Sequence, residues 1–141
     1  MPIHLDIVTI ERIVVSEDVD YVSAPGIDGI LGVLPKHEPL LTALGIGELR
    51  YRKGSQEFAY AIGGGFMQVR PDHVTVLADV AESADEIDEQ RAEAARKRAQ
   101  ELMAQSATGT DVTQAALIEQ SFRRAELRLK VARRRRSGTQ E

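Results

Sequence analysis

Ser83-Ala-Asp-Glu-Ile-Asp-Glu-Gln-Arg-Ala92, "SADEIDEQRA", is where the chain changes its period. Before it, apolar residues recur at every second position. Ile3, Leu5 and Ile7 alternate with His4 and Asp6, Val19 and Tyr21 flank Asp20, and Leu49 and Tyr51 alternate with Glu48, Arg50 and Arg52. A turn at Lys53-Gly54-Ser55 leads to Phe58, Tyr60 and Ile62, and another at Arg70-Pro71-Asp72 opens onto Val74 and Val76. Short alternating runs separated by Gly and Pro predict antiparallel strands, and several at this spacing favour a β-sandwich or barrel. The only helical feature expected here is a turn at residues 39–44. Gly63-Gly64-Gly65 lies between alternating runs rather than ahead of a helix. It therefore reads as a bulge or close backbone approach, not as a phosphate loop.

After the boundary the spacing becomes helical. Ser83 and Glu86 have the S-x-x-E form of a capping box. Ala92, Ala95, Ala99 and Leu102 then follow 3-4-3 spacing. Residues 106–110, Ser-Ala-Thr-Gly-Thr, form a break, and Thr110 or Asp111 can cap a second helix. In it Ala115, Ile118, Phe122, Ala125, Leu129 and Ala132 follow 3-4-3-4-3 spacing. Two helices of about 20 residues with a short connection predict an antiparallel α-helical hairpin. The expected domains are a β-sandwich over residues 1–84, a hairpin over 85–137 and a disordered tail over 138–141. Alanine buries little apolar area, so the hairpin should be weakly held and mobile.

Charge divides at the same place. Residues 1–85 carry 13 acidic against 6 basic side chains, and residues 86–141 carry 9 against 12. With 43% hydrophobic and 28% charged residues, the chain has the composition of a soluble globular protein. The absence of Cys excludes disulfides and thiolate metal sites. The amino terminus lacks the basic region and apolar run of a signal peptide, and no apolar stretch approaches the roughly 20 residues of a membrane span. Any membrane association is expected to run through another protein.

Catalytic chemistry finds little support. His4, His37 and His73 are far apart in sequence and have no paired carboxylate at metal-ligand spacing. Nucleophile-elbow, zinc-protease and Walker motifs are missing, so the chain is expected to be no enzyme. Residues 123–136 hold eight basic side chains against Glu126 alone. They suit a solvated helix face or an acidic protein surface better than nucleic acid, because Phe122 sits on the apolar seam and supplies no stacking platform. Asp88 and Arg91, at i and i+3, can pair within a helix for ~0.2–0.5 kcal/mol or can grip a ligand together.

The run Ala24-Pro-Gly-Ile-Asp-Gly-Ile-Leu-Gly-Val-Leu-Pro-Lys-His-Glu-Pro-Leu-Leu-Thr-Ala-Leu44 resembles the epsilon subunit family of the F-type, rotary ATP synthase. "GIGELRYR", "GGGFMQVRPDHVTVLADVAE", "IDEQRAEAARKRA" and "FRRAELRLKVA" extend the likeness over nearly the whole chain. The resemblance implies a non-catalytic rotor part that helps couple proton flow to rotation. Its sandwich would bind the foot of the gamma subunit and rest on the ring of c subunits. Its hairpin would be a brake: folded it permits ATP hydrolysis, and extended it reaches the alpha/beta catalytic hexamer and inhibits. The implied place is the cytoplasmic side of the cell's plasma membrane, held peripherally through the complex, with the thylakoid membrane as the alternative.

Residue by residue, the resemblance assigns Gly29, Ile30, Leu31, Lys36, His37 and Glu38 to gamma and c-ring contact. Ile30 departs from the glutamate often found there. Arg123, Arg128, Arg133 and Arg134 would meet an acidic surface of the hexamer. Ile87-Asp88-Glu89-Gln90-Arg91-Ala92 matches the [Ile/Leu]-Asp-x-x-Arg-Ala motif of ATP-binding members. The implied regulatory nucleotide set is Glu82, Ile87, Asp88, Arg91, Ala92, Arg98, Arg124 and Arg135, with Asp88 for the adenine amine, Arg91 for phosphate and Ala92 leaving room for the base. Val131 departs from the basic residue expected there. No obligatory cofactor, metal or nucleic-acid partner is implied.

Overall fold

The computed structural model describes residues 2–105 and 112–138, with side chains to residue 133. The chain divides into two compact units, Met1–Ser83 and Ala84–Glu141. The first holds eight strands: β1 (Ile3–Val8), β2 (Ile13–Val19), β3 (Tyr21–Gly26), β4 (Gly29–Val33), β5 (Leu40–Lys53), β6 (Gln56–Val69), β7 (His73–Ala78) and β8 (Ala81–Ser83). They form one hydrogen-bonded sheet ordered β2-β1-β7-β6-β5-β3-β4, with β8 added to β6.

A single sheet becomes a two-layered sandwich because β5 and β6, 14 residues each, are too long to stay in one layer. Gly45 on β5 faces the Gly63–Gly65 segment of β6, where the pairing skips one position between Leu44–Gly65 and Ile46–Gly63 and resumes in the same register, and Gly47 follows opposite Ile62. Gly64 and Gly65 have φ of 105° and 133°, and a Cβ on Gly65 would collide with the Leu77 carbonyl oxygen. The triple glycine is thus the fold line, in keeping with its reading as a close backbone approach. On one side of the line β6 pairs with β7, and on the other with β8.

Alternation decides what lies between the layers. Ile3, Leu5, Ile7, Val74 and Val76 from one layer meet Val22, Leu49, Tyr51 and Ile62 from the other in an aliphatic core. The edges are joined where the Tyr51 hydroxyl and the Lys53 ammonium donate to Glu17 on β2, at 2.8 and 3.1 Å. The Tyr51 hydroxyl is held well above its ordinary pKa by burial and by this bond, so it stays a donor.

Two expectations change here. The sheet is not wholly antiparallel, because β1 and β7 pair in parallel with His4 opposite His73. Residues 40–44 are not a turn but the start of β5, since Leu40 to Leu44 find partners along β6 from Val69 to Gly65.

The second unit is the hairpin of α1 (Glu89–Gln105) and α2 (Val112–Gly138). Arg133, near the end of α2, reaches Glu89 and Glu93 at the start of α1, which fixes the pair as antiparallel. Ala92, Ala99, Ala125 and Leu129 of the two seams are buried, whereas Leu102 at the far end is 43% exposed. The helices are 17 and 27 residues long, and α2 runs through Gly138, one residue into the expected tail. The caps expected at Thr110 or Asp111 and the rest of the tail lie outside the described residues.

The helix start also moves. Ser83 belongs to β8, so it cannot cap α1. Asp88 does so instead: its carboxylate accepts the Arg91 backbone N–H at 3.2 Å. One Asp cap of this kind stabilises a helix by about 1 kcal/mol.

Candidate functional site

The strand registers lay out the outer face of the first layer as a grid. His4 stands between Asp18 and His73, Asp6 between Ser16 and Thr75, and Val8 between Ile13 and Leu77. On β6, Gln68 continues the second row and Phe66 the third. Alternate residues on these strands are buried, so the grid points outward. One end of it is polar and the other is apolar.

At the polar end the His4 and His73 rings meet edge to face with centroids 5.2 Å apart. His4 bonds Asp18 through Nδ1 at 2.9 Å, and His73 Nε2 bonds Asp6 at 2.8 Å. Two of the three histidines, 69 positions apart in sequence, are thus neighbours with carboxylate partners, a proximity that sequence spacing does not reveal. The bond to Asp18, with the charge of Asp6 adding to it, raises the His4 pKa. The Ser16 hydroxyl, followed by His73, lowers that of Asp6. Among the described residues no group of ligating side chains is placed to hold a metal ion.

At the apolar end Ile13, Val8, Leu77 and Phe66 form a cross-strand row that Ala43 continues on β5, with Leu41 one row over, opposite Gln68 and diagonal to Phe66. Phe66 and Leu77 are each 57% exposed and Leu41 is 70% exposed. A contiguous apolar patch on an otherwise polar sheet face marks an interaction surface. Sequence reasoning missed it, although the unbroken pairs Phe66-Met67 and Val76-Leu77 carried the signal. Adjacent apolar residues in a strand put one on each face.

The residues assigned to rotor contact fall in two places. Gly26 and Gly29 pair across the two-residue turn Ile27-Asp28, which explains the G-x-D-G spacing. Gly29 has φ 141°, Ile30 is exposed, and Leu31 packs against the core. Lys36, with φ 69°, lies beyond the other end of β4, and its N–H bonds the Pro71 carbonyl at 2.8 Å. The His37 ring bonds the Glu38 carbonyl at 2.7 Å. The first group is the start of β4 and the second lies past its end, with residues 32–35 between them.

The nucleotide set is divided between the two units. Glu82 is on β8 in the first unit. In the second, Ile87 and Asp88 precede α1, and the Asp88 carboxylate bonds the Arg91 backbone rather than its guanidinium. Ala92 is buried, Arg91, Arg98 and Arg124 are exposed, and Val131 is fully buried. Arg134 and Arg135 continue α2, but their side chains lie outside the described residues. A shallow groove of about 470 Å³ runs along the hairpin, lined by Glu89, Glu93, Lys97, Leu129 and Arg133 among others. Asp88, Arg91, Arg98 and Arg124 do not line it. Arg133 and Arg123 are exposed and Arg128 is half-buried.

The family models divide where the fold does. The ATP synthase delta/epsilon chain β-sandwich domain matches residues 2–84, and the delta/epsilon chain long α-helix domain matches residues 85–133. The chain belongs to the ATP synthase epsilon-chain family. The ATP synthase epsilon chain of Herpetosiphon aurantiacus is 55% identical over 137 residues, covering 97% of this chain and 98% of the relative. That of Dehalococcoides mccartyi is 52% identical over 138 residues, covering 98% and 97%. Among solved structures, a chain of the Euglena gracilis mitochondrial ATP synthase is similar with TM-score 0.78 and 25% identity, covering 93% of this chain and 81% of that one. A chain of the Tetrahymena thermophila mitochondrial ATP synthase central stalk and c-ring has TM-score 0.60 at 15% identity, which is a likeness of fold alone. The two family models thus fall on the sandwich and the hairpin in turn. No helix among the described residues is long and apolar enough to cross a membrane.

Proposed function

We propose that the protein is a non-catalytic part of the ATP synthase central stalk, with a head that couples the rotor to the c-ring and a hairpin that restrains ATP hydrolysis. The observation that carries the head's role is the apolar row Ile13-Val8-Leu77-Phe66 with Leu41 beside it. This row seats on the gamma subunit, and burying a Phe and a Leu there contributes about 1.5–3 kcal/mol each. The residue 36–38 loop meets the c-ring and, with Ile30 in place of a charge, the β3–β4 turn offers an apolar contact. The complex is held at the cytoplasmic face of the plasma membrane, and this subunit reaches the membrane only through it.

Supporting the hairpin's role are its low content of large buried side chains and the basic stretch of α2, which suits an acidic surface on the catalytic hexamer. ATP is its regulatory ligand in this reading. Arg91, Arg98 and Arg124 are exposed and free to bind phosphate, and ATP stabilises the folded hairpin by mass action. The buried Val131 supplies no charge, so binding is weak.

Co-purification tests the proposal. The full chain and a chain ending at residue 84 should both bring down gamma, and Phe66→Ser with Leu77→Ser should abolish this while leaving the head folded. Undiminished capture by the double variant would contradict the assigned surface. Calorimetry with MgATP should give heat that Arg91→Ala removes, and no heat at millimolar nucleotide would refute the sensing role.

A further inference from the structure

The acidic start of α1 and the basic end of α2 meet in the folded hairpin. Arg133 Nε lies 3.4 Å from Glu89, and its guanidinium also reaches Glu93 at 3.8 Å. Glu93 is at the same time bonded by Arg96, whose Nε donates to it at 3.2 Å. Arg96, then Lys97 and Arg133, hold the Glu93 carboxyl below the usual range, so it stays an anion. Glu89 and Glu93 stand one turn apart on α1 and border the hairpin groove with Arg133 and Lys97.

We propose that Glu89 and Glu93 form an internal decoy for Arg133, occupying the guanidinium that the extended hairpin would present to an acidic partner surface. The inference rests on the reading of the hairpin as a brake and adds what sets its rest position. Arg133 cannot serve both surfaces at once, because its one planar fork is already directed at two carboxylates. The folded and extended states therefore compete for the same cation. A seam of Ala92, Ala99, Ala125 and Leu129 holds the helices only weakly, so ion pairs of modest strength can tip the balance. Because Arg133 is 62% exposed, the clasp is weakened by salt.

A double-mutant cycle on the free, full-length protein tests this, with amide hydrogen exchange of α2 as readout and exchange in β1 and β7 as internal reference. Arg133→Gln and the pair Glu89→Gln/Glu93→Gln should each speed α2 exchange by about two- to fivefold at low salt. Combining them should add nothing further, and about 0.5 M NaCl should erase the difference from the parent chain. Additive effects would overturn the clasp: they would mean that Glu89 acts only on the α1 dipole and Arg133 elsewhere. Unchanged exchange in every variant would overturn it too. A separate arm addresses the brake. In the assembled ATP synthase, Glu89→Gln/Glu93→Gln should lower ATP hydrolysis. Coupled exchange with unaltered hydrolysis would leave the clasp standing and refute the brake.

Discussion

At Gly65 the backbone has φ 133° and any Cβ would strike the Leu77 carbonyl, so the fold line of the sandwich depends on a hydrogen in place of a side chain. Gly65→Ala should cost about 2–4 kcal/mol in the head, read as a lower urea midpoint, and an unchanged midpoint would contradict the account. Tyrosine fluorescence is the suitable probe because Tyr21, Tyr51 and Tyr60, the chain's three tyrosines, all lie in the head. The His4–Asp18 bond has its own signature. A histidine whose pKa is raised by folding adds stability that is complete below its ordinary value of 6.5 and is lost as pH rises through the raised value. Asp6 is shifted the other way, so its contribution is present above 3.8 and is lost as pH falls through the lowered value. The head should therefore be most stable between those limits. Its urea midpoint should drop from about pH 6 to about pH 8.5, and His4→Gln should flatten the drop. A midpoint that rises over that interval would refute the assignment.

At the scale of elements, the two units are held by different means. The head buries Ile3, Leu5, Ile7, Leu49 and Ile62 completely, each contributing about 1.5–3 kcal/mol, whereas the hairpin buries chiefly alanines. On heating, the helical signal should decay before the tyrosine signal, and a chain ending at residue 84 should melt within a few degrees of the full chain by fluorescence. One shared transition that shifts on truncation would contradict this. Period-two and period-3.6 spacing made both elements and their boundary legible in the sequence, because each depends on neighbours a few residues apart. The start of α1 was misplaced because β8 claims Ser83, a competition that local spacing does not reveal. The pairs Phe66-Met67 and Val76-Leu77 marked outward apolar residues, but the assembly of the apolar row and of the His4–His73 cluster was illegible for a related reason. Both require the parallel register of β1 with β7, which joins residues about 70 apart and leaves no local trace. Of the candidate site, the Asp88–Arg91 spacing was visible, but its use as a cap emerged only from the direction of the carboxylate.

For the whole molecule, the proposed division of labour follows from this difference in packing: a head with a large aliphatic core and an exposed apolar row, and a hairpin with few large buried side chains that carries the basic charge. An element that small energies can move is suited to regulation, and a rigid head to attachment. The most direct test is ATP hydrolysis by an ATP synthase reconstituted with either the full chain or a chain ending at residue 84. Both should incorporate to the same extent, and only the full chain should suppress hydrolysis. Equal hydrolysis rates in the two assemblies would contradict the central claim that the hairpin is the regulator.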